Sequence, residues 1–400
     1  MEYRFSKLIR GDRVIWTVLL ILSMLSMLIV YSATGALAFR QAGGNTFFFL
    51  VRQVVFLSLG LGIILFMVNV IPVKFYSIIS RVLVLISIMF LALAIGLKLA
   101  GLTDSTGRTL NLGIISFQPA EIAKLGLVMY VAKMLGIEQN SPEGLRKVFW
   151  KVMIFSGIVC GMIALSNFST AALLFATVMS MLFVGRVPIR YLLLVLAGGI
   201  GLLFLIYTSG DKFDWLPSRF ATAQGRIERF IHGDPDEEKG ITQADYAKLA
   251  IYQGGLIGKG PGNSDVANYM AAAYNDFIFA IIVEEYGLII STMVMFLYLV
   301  FFFRGITIVK RTNRTFPAFL VSGLTLMLVY QAMINIGVSA GVLPVTGQPL
   351  PWISMGGTSL LFTSVAFGCI LSVSYQNQKD TKVDAPAVQV IVPDEDHEMK

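Results

Sequence analysis

The stretch VIWTVLLILSMLSMLIV, residues 14–30, decides the fold class of this chain. It contains no charged side chain. Together with the residues that follow, it reaches the length of about 20 residues that a helix needs to cross the hydrocarbon core of a bilayer. Similar apolar runs recur along the 400-residue chain. The sequence therefore predicts an all-α, polytopic membrane protein.

The composition of the chain excludes several other classes of protein. Apolar residues make up 56% and charged residues only 14% of the chain, whereas soluble domains carry about 25% charged residues. A disordered chain, a nucleic-acid-binding domain and an ordinary cytosolic enzyme are therefore not expected. Cys160 and Cys369 both lie in apolar runs and form no CxxC pair, so neither a disulfide nor a zinc site is expected.

Hydropathy divides the chain into ten candidate spans and one long loop. The spans are 14–35, 46–70, 77–100, 117–135, 149–166, 168–184, 189–208, 275–303, 316–340 and 352–375. The fourth span is the weakest because it contains Glu121 and Lys124. The fifth and sixth are nearly continuous, and Ser166 and Asn167 between them predict a tight helical hairpin.

The basic residues predict the orientation of the spans. Four of them between positions 4 and 13 precede the first span, as in a signal peptide. The apolar run is too long for a typical signal peptide and a second span follows closely, which favours an uncleaved first helix. With the N-terminus inside, most of the 31 Lys and Arg residues fall on the cytoplasmic side, as the positive-inside rule requires. Both termini are therefore expected in the cytoplasm.

These patterns predict one membrane domain with two short tails. The N-terminal cytoplasmic tail is residues 1–13, the transmembrane domain is 14–375, and the polar segment 376–400 is expected to be a disordered cytoplasmic tail. The extracytoplasmic loop between the seventh and eighth spans covers 209–274. It contains a helical-looking stretch, Ile241–Tyr252, and a long loop with structure of its own is usually functional.

Several charged side chains fall inside or beside the spans, and an ionisable group at the centre of a span costs about 2.5–3.5 kcal/mol. Glu121 and Lys124 are three residues apart on one helix, so they share a face and can pair. Asp276 stands at the outer mouth of the eighth span, where a catalytic base or a metal ligand is expected. Glu284 and Glu285 lie deeper and, at 100° per residue, cannot both face one cavity with Asp276. Ion pairing that fixes helix packing is the alternative explanation for these charges.

The glycine-rich segment GGLIGKGPGNS, residues 254–264, is not a Walker A motif, because Gly260 follows Lys259 and no strand precedes it. Glycines allow the backbone to approach another group closely. That group is either a substrate or another helix, and the sequence leaves both open.

Four long segments resemble the FtsW/RodA, or SEDS, family, and the resemblance covers essentially the whole chain apart from its tails. The segments are FQPAEIAK at 117–124, AIYQGGLIGKGPGNS at 250–264, DFIFAIIVEEYG at 276–287 and LPVTGQPLPWISMGGTS at 343–359. Their order and length make this signal far more specific than one short motif.

The resemblance implies a ten-span enzyme of the bacterial cytoplasmic membrane that polymerises lipid II into peptidoglycan strands. It implies a class B penicillin-binding protein transpeptidase as partner. The FtsW branch works with other division proteins at the septum, and the RodA branch works in side-wall elongation. The stretch 30–34, Met355 and the extended C-terminal tail resemble the FtsW branch.

The implied reaction also assigns roles to individual residues. The 4-hydroxyl of the acceptor displaces undecaprenyl diphosphate from the anomeric carbon with inversion, which needs a base and stabilisation of the leaving charge. Asp276 is assigned as the base, or as the ligand of a divalent cation, Mg or Mn, that bridges the diphosphate. Arg108 and Lys124 are assigned to the diphosphate, and Glu121 is assigned to orient Lys124.

Lys259 and Arg219 are weaker candidates for substrate binding. Two other classes of function stay open. The intramembrane charges also suit a transporter that flips lipid II, but no inverted-repeat pattern of broken helices is visible and Asp276 lies at the outer face. The tails and the outer loop also suit a scaffold that recruits a division transpeptidase. A RodA-like elongation polymerase is the alternative within the family.

Overall fold

The computed structural model of the protein describes residues 9–41, 43–102, 108–111, 116–139, 141–209, 224–226, 228, 230, 241–270 and 273–384. Arg219, one of the predicted substrate-binding residues, lies outside these described residues, as does the segment 385–400.

Most of the described residues are helical. The helices are α1 Arg13–Ala33, α2 Gly35–Gln41, α3 Thr46–Val70, α4 Val73–Leu99, α5 Pro119–Glu138, α6 Pro142–Ala164, α7 Phe168–Val184, α8 Ile189–Ser209, α9 Gln243–Gly254, α10 Ile278–Lys310, α11 Thr315–Ser339 and α12 Thr358–Asp384. Two short strands, β1 Leu110–Asn111 and β2 Ser116–Phe117, pair antiparallel just before α5.

Each of the ten predicted spans coincides with a helix. Among the described residues, seven helices are long and apolar enough to cross a membrane: α1, α3, α4, α6, α10, α11 and α12. Helices α7 and α8 are apolar with shorter qualifying stretches, and α5 carries Glu121, Lys124 and Lys133. The protein is an all-α, polytopic membrane protein, as predicted. Helix α9 confirms the helical stretch expected in the outer loop.

The last span is displaced from its predicted position of 352–375. Residues 352–357 are not helical, because Trp352 and Gly357 have φ of +70° and +52°. The first three of these residues are buried in the protein core instead. The indole nitrogen of Trp352 donates hydrogen bonds to the Leu19 carbonyl oxygen and the Ser23 hydroxyl. The Trp352 ring packs edge-on against Phe367 of α12, with 5.6 Å between ring centroids.

At its other end α12 extends to Asp384, into the segment expected to be a disordered tail. Its polar side chains are held by neighbouring elements. The Asn377 amide donates to the Ile308 carbonyl and the Thr312 hydroxyl of the α10 end, and the Gln378 amide donates to the Gly11 carbonyl. These hydrogen bonds make a helical continuation favourable where hydropathy alone predicts an end.

Helix α10 is interrupted at Gly287, whose φ of 77° is outside the helical region. The glycine-rich segment supplies the missing backbone partners. The Lys259 and Gly260 amides each donate to α10 at 2.9 Å, to the carbonyls of Glu284 and Glu285, and the Leu288 amide donates to the Gly255 carbonyl at 3.0 Å. A Cβ at position 287 would lie 2.3 Å from the Leu256 carbonyl oxygen. The glycines of the segment 254–264 therefore allow its backbone to approach α10 closely.

Candidate active site

Asp276 lies in the turn 273–277, just before α10 begins, and the surrounding loops hold this turn from two sides. The Asn335 side-chain amide of α11 donates to the Asp276 carbonyl at 3.0 Å and to the Gln348 carbonyl at 2.8 Å. The Ser354 hydroxyl donates to the Asn275 carbonyl at 2.8 Å. The position of the Asp276 backbone is therefore fixed by α11 and by the segment that joins α11 to α12.

The Asp276 carboxylate faces Gly347, which has a φ of +69°. A Cβ at position 347 would stand 3.3 Å from Asp276 Oδ2, so a glycine leaves the space beside the carboxylate open. Burial raises the pKa of the Asp276 carboxyl, and the positive charges of Arg108 and Arg226 oppose that rise. The group is a half-buried carboxylate with two guanidinium groups in its field, which suits it to accept a proton.

The two arginines also line one cavity of about 340 Å³. Arg108 Nε donates to the Ser166 carbonyl at 3.1 Å, and Arg226 Nη1 donates to the Val345 carbonyl at 3.0 Å. The cavity lies between α7, α11 and the segment 343–346, and its apolar lining includes Phe168, Ala172, Leu173, Ala176, Ile334 and Leu343. An apolar cavity with two guanidinium groups fits an amphiphile with an anionic head.

Glu121 and Lys124 form the predicted ion pair, with 2.9 Å between Glu121 Oε1 and Lys124 Nζ. Both side chains are buried, with 10% and 3% of their surfaces exposed. Lys124 Nζ also donates to Gln331 Oε1 at 3.4 Å, and the Gln331 amide donates to the Pro349 carbonyl at 3.0 Å. This network joins α5 to α11, and neither charged residue lines the 340 Å³ cavity. Their assignment to the substrate stays a prediction.

Lys259 is engaged within the protein. Its ammonium donates to Glu284 Oε1 at 2.9 Å, to Asp265 Oδ2 at 2.7 Å and to Gln253 Oε1 at 2.6 Å. Glu284 also accepts from the Asp265 amide at 3.0 Å and from the Ser264 hydroxyl. Lys259 therefore fastens the glycine-rich segment to α10, and its role in substrate binding stays a prediction.

The two glutamates of α10 face different partners. Glu284 faces the glycine-rich segment, whereas Glu285 Oε1 accepts from the Ser32 hydroxyl of α1. The helical-wheel comparison with Asp276 is wrong in one respect, because Asp276 precedes α10 and is not part of the helix. Both glutamates are buried within the protein, with less than 2% of their surfaces exposed.

Three contributors to this region do not follow from charge patterns. Asn335 positions the Asp276 turn, Gln331 contacts Lys124, and Arg226 acts on Asp276 from the segment between α8 and α9. Gln331 and Asn335 are amides four residues apart inside an otherwise apolar span. Polar side chains in such a span indicate a functional or packing contact, but they carry no charge, so a pattern of charged residues does not include them. Arg226 has no local signal, because it reaches the site from the long segment between α8 and α9, far in sequence from Asp276.

Comparison with known proteins gives one consistent family. The profile of the family described as "Cell cycle protein", which covers FtsW, RodA and SpoVE, matches residues 12–379. A probable peptidoglycan glycosyltransferase FtsW of Coxiella burnetii is 33% identical over 373 residues, covering 91% of this chain and 96% of the relative.

Two solved structures share the fold. One is a chain from a peptidoglycan synthase complex that coordinates polymerization and crosslinking, with a TM-score of 0.68, 24% identity and coverage of 92% of this chain and 99% of that chain. The other is the rod shape determining protein RodA of Thermus thermophilus, with a TM-score of 0.62, 22% identity and coverage of 92% and 97%. The chain belongs to the FtsW/RodA/SpoVE family of cell cycle proteins.

Proposed function

We propose that this protein is a peptidoglycan glycosyltransferase that polymerises lipid II into glycan strands during bacterial cell division. The observation that carries the proposal is the arrangement around Asp276. A half-buried carboxylate lies in the field of Arg108 and Arg226, and both arginines line an apolar cavity. The FtsW name of the Coxiella burnetii relative supports a polymerase of the division type rather than the elongation type.

The geometry suits a single inverting displacement. The acceptor 4-hydroxyl attacks the anomeric carbon of the donor and passes its proton to the Asp276 carboxylate. The bond between that carbon and the diphosphate breaks, and undecaprenyl diphosphate leaves with the electron pair. Arg108 and Arg226 stabilise the negative charge that develops on the diphosphate, while the apolar lining of the cavity holds the start of the lipid chain.

Three buried polar atoms lie near the Asp276 turn. Asn275 Oδ1, Asn335 Oδ1 and Thr346 Oγ1 have no hydrogen-bond partner within the described part of the chain. A buried acceptor without a partner costs about 1–3 kcal/mol. Of the three residues only Thr346 lines the 340 Å³ cavity, so its hydroxyl is the one that a small side-chain movement would turn toward a hydroxyl or amide group of the acceptor sugar.

A divalent cation, Mg or Mn, would fit the site if one carboxylate and the substrate diphosphate held it together. No cluster of three or more His, Cys, Asp or Glu side chains is found within the described residues, so Asp276 would be the protein ligand and the substrate diphosphate would complete the coordination. Magnesium is commonly held by one or two carboxylates together with substrate phosphates. The cation would then neutralise charge on the diphosphate.

The proposed partner is a crosslinking transpeptidase of the class B penicillin-binding type, acting with other division proteins at the septal cytoplasmic membrane. A solved chain of the same fold comes from a synthase complex that combines polymerization and crosslinking. A polymerase that works beside a crosslinking enzyme passes its nascent strand on directly, which is the reason to expect a stable complex.

The test is polymerisation of purified lipid II by the detergent-purified protein with its cognate penicillin-binding protein. We expect glycan strands of many disaccharides. Transport of labelled lipid II across liposomes is measured in parallel. Transport without polymer would favour a flippase, and a demonstrably intact complex that does neither would favour a scaffold.

The Arg226→Gln variant is expected to move the acidic limb of the pH–rate profile to higher pH. The base acts only when ionised, so the rate falls as the pH drops through the pKa of Asp276. Arg226 lowers that pKa against the effect of burial, and removing its charge lets the pKa rise. Initial polymerisation rates between about pH 5 and 9 measure the shift.

The control is Arg190→Gln, which removes an exposed arginine outside the site and should leave the acidic limb at the same pH. A limb that stays or moves to lower pH in Arg226→Gln would contradict the assignment.

A further inference from the structure

A second cavity lies at the end of the helix bundle opposite Asp276. It has a volume of about 260 Å³ and is bounded by residues 11–14, by the last two turns of α10 and by the segment 374–381 of α12. Asp276 precedes the first residue of α10 and this cavity lies at its last turns, and the unbroken part of α10 after Gly287 alone places roughly 25 Å between them at 1.5 Å per residue. We call this cavity the basic cleft.

The charge of the basic cleft is strongly positive. Three arginines line it, Arg13, Arg304 and Arg311, against one carboxylate, Asp12. The Asp12 carboxylate already has hydrogen-bond and ion-pair partners within the protein. It accepts from the Val14 and Ile15 amides at 2.9 and 3.1 Å and pairs with Arg304, whose Nε lies 3.2 and 3.1 Å from its two oxygens.

The guanidinium groups of Arg13 and Arg311 are the two cations in the cleft that Asp12 does not neutralise. Among the described residues, no carboxylate forms an ion pair with Arg13 or Arg311. Lys379 and Asp380, which are adjacent on the same segment of α12, carry opposite charges and leave the excess of positive charge unchanged. The cleft therefore has an excess of positive charge and guanidinium groups suited to bind phosphate oxygens in pairs.

The position of the basic cleft identifies the source of the phosphate. Three apolar helices begin or end at this level, so the cleft lies where phospholipid headgroups meet the hydrocarbon. Val14 and Ile308 give the cleft an apolar edge beside its polar lining. A soluble phosphate has no apolar group that could contact this edge, whereas a phospholipid would place the start of its acyl chains against it.

We propose that the basic cleft binds the phosphate headgroup of an anionic phospholipid of the cytoplasmic leaflet. The cavity has room for a phosphodiester and its glycerol. Arg13 and Arg311 contact the phosphate, and Arg304 is held in place by Asp12. Basic pockets between transmembrane helices on the cytoplasmic side are suited to such headgroups. The site would tie the ends of α1, α10 and α12 together through the lipid.

The experiment is native mass spectrometry of the delipidated full-length protein, titrated with phosphatidylglycerol or phosphatidylcholine. The wild type should bind phosphatidylglycerol on the order of tenfold more tightly than phosphatidylcholine. The Arg13→Gln/Arg311→Gln double variant should lose most of this preference. The Arg146→Gln/Arg190→Gln variant removes two exposed arginines predicted for the same side but outside the cleft, and it should keep the preference.

Three outcomes would overturn the proposal. The first is an equal preference for the two lipids in the wild type. The second is an equal loss in the control variant, which would assign the effect to the overall surface charge. The third is full displacement of the lipid by glycerol phosphate at the lipid's own concentration, which would make the cleft a site for a soluble phosphate. Thermal unfolding in phosphatidylcholine nanodiscs checks that both variants fold, and the Arg13→Lys/Arg311→Lys variant, which retains the charges, should retain binding if the Gln variant does not fold.

Discussion

Replacing Asp276 with asparagine is expected to lower the rate of glycan polymerisation by about 10²–10⁴-fold, the usual contribution of a general base. Asparagine has almost the same shape but cannot accept the proton of the acceptor hydroxyl. The Asp276 carbonyl, which holds the turn through Asn335, is unchanged by the substitution, so the protein should fold normally. The measurement is polymer formed from lipid II by the variant with its penicillin-binding partner, under conditions of excess substrate.

The matched control is Asp245→Asn, at the first turn of α9 in the outer loop. Asp245 is half-exposed and pairs with Lys248 rather than with any group of the candidate site. Its loss should leave the polymerisation rate within about twofold, because its contacts are an exposed ion pair, which contributes little, and a capping box with Thr242 at the start of α9, and none of them reaches Asp276. If Asp276→Asn, shown to be folded and bound to its partner, polymerises as fast as Asp245→Asn, then Asp276 is not the base.

Replacing Lys124 with methionine is expected to lower the free energy of unfolding by about 3–5 kcal/mol. The variant leaves the Glu121 carboxylate buried without its cation, since Lys124 is the residue paired with it at 2.9 Å. The double variant Glu121→Gln/Lys124→Met removes both charges and should recover most of the loss. Unfolding by denaturant in detergent, followed by circular dichroism, measures the difference.

Asp245 and Lys248 offer a matched comparison, because they form an ion pair with the same spacing of three residues. Their side chains are 49% and 59% exposed, so Lys248→Met should cost less than about 1 kcal/mol. If Lys124→Met is as stable as the wild type but fails to polymerise lipid II, the lysine acts on the substrate and not on helix packing.

Local sequence patterns predicted most of the helices and one buried ion pair. Each predicted span contains a helix, because a backbone inside hydrocarbon must satisfy its own hydrogen bonds. The spacing of Glu121 and Lys124 predicted their ion pair, and the sequence also predicted α9. The segment 352–357 shows the limit of hydropathy. Its apolar residues are buried in a loop, and burial alone does not distinguish a loop inside the protein from a helix inside the membrane.

The sequence by itself determined the membrane fold, the family motifs and the choice of Asp276. Only the tertiary structure brought Arg108 and Arg226 into the field of that carboxylate, placed Asn335 behind its turn and set the glycine-rich segment against the broken helix α10. The physical reason is the range of the forces involved. Hydrophobic length and i, i+3 spacing act within one helix, whereas burial and the charges that tune a carboxylate come from segments far apart in the chain.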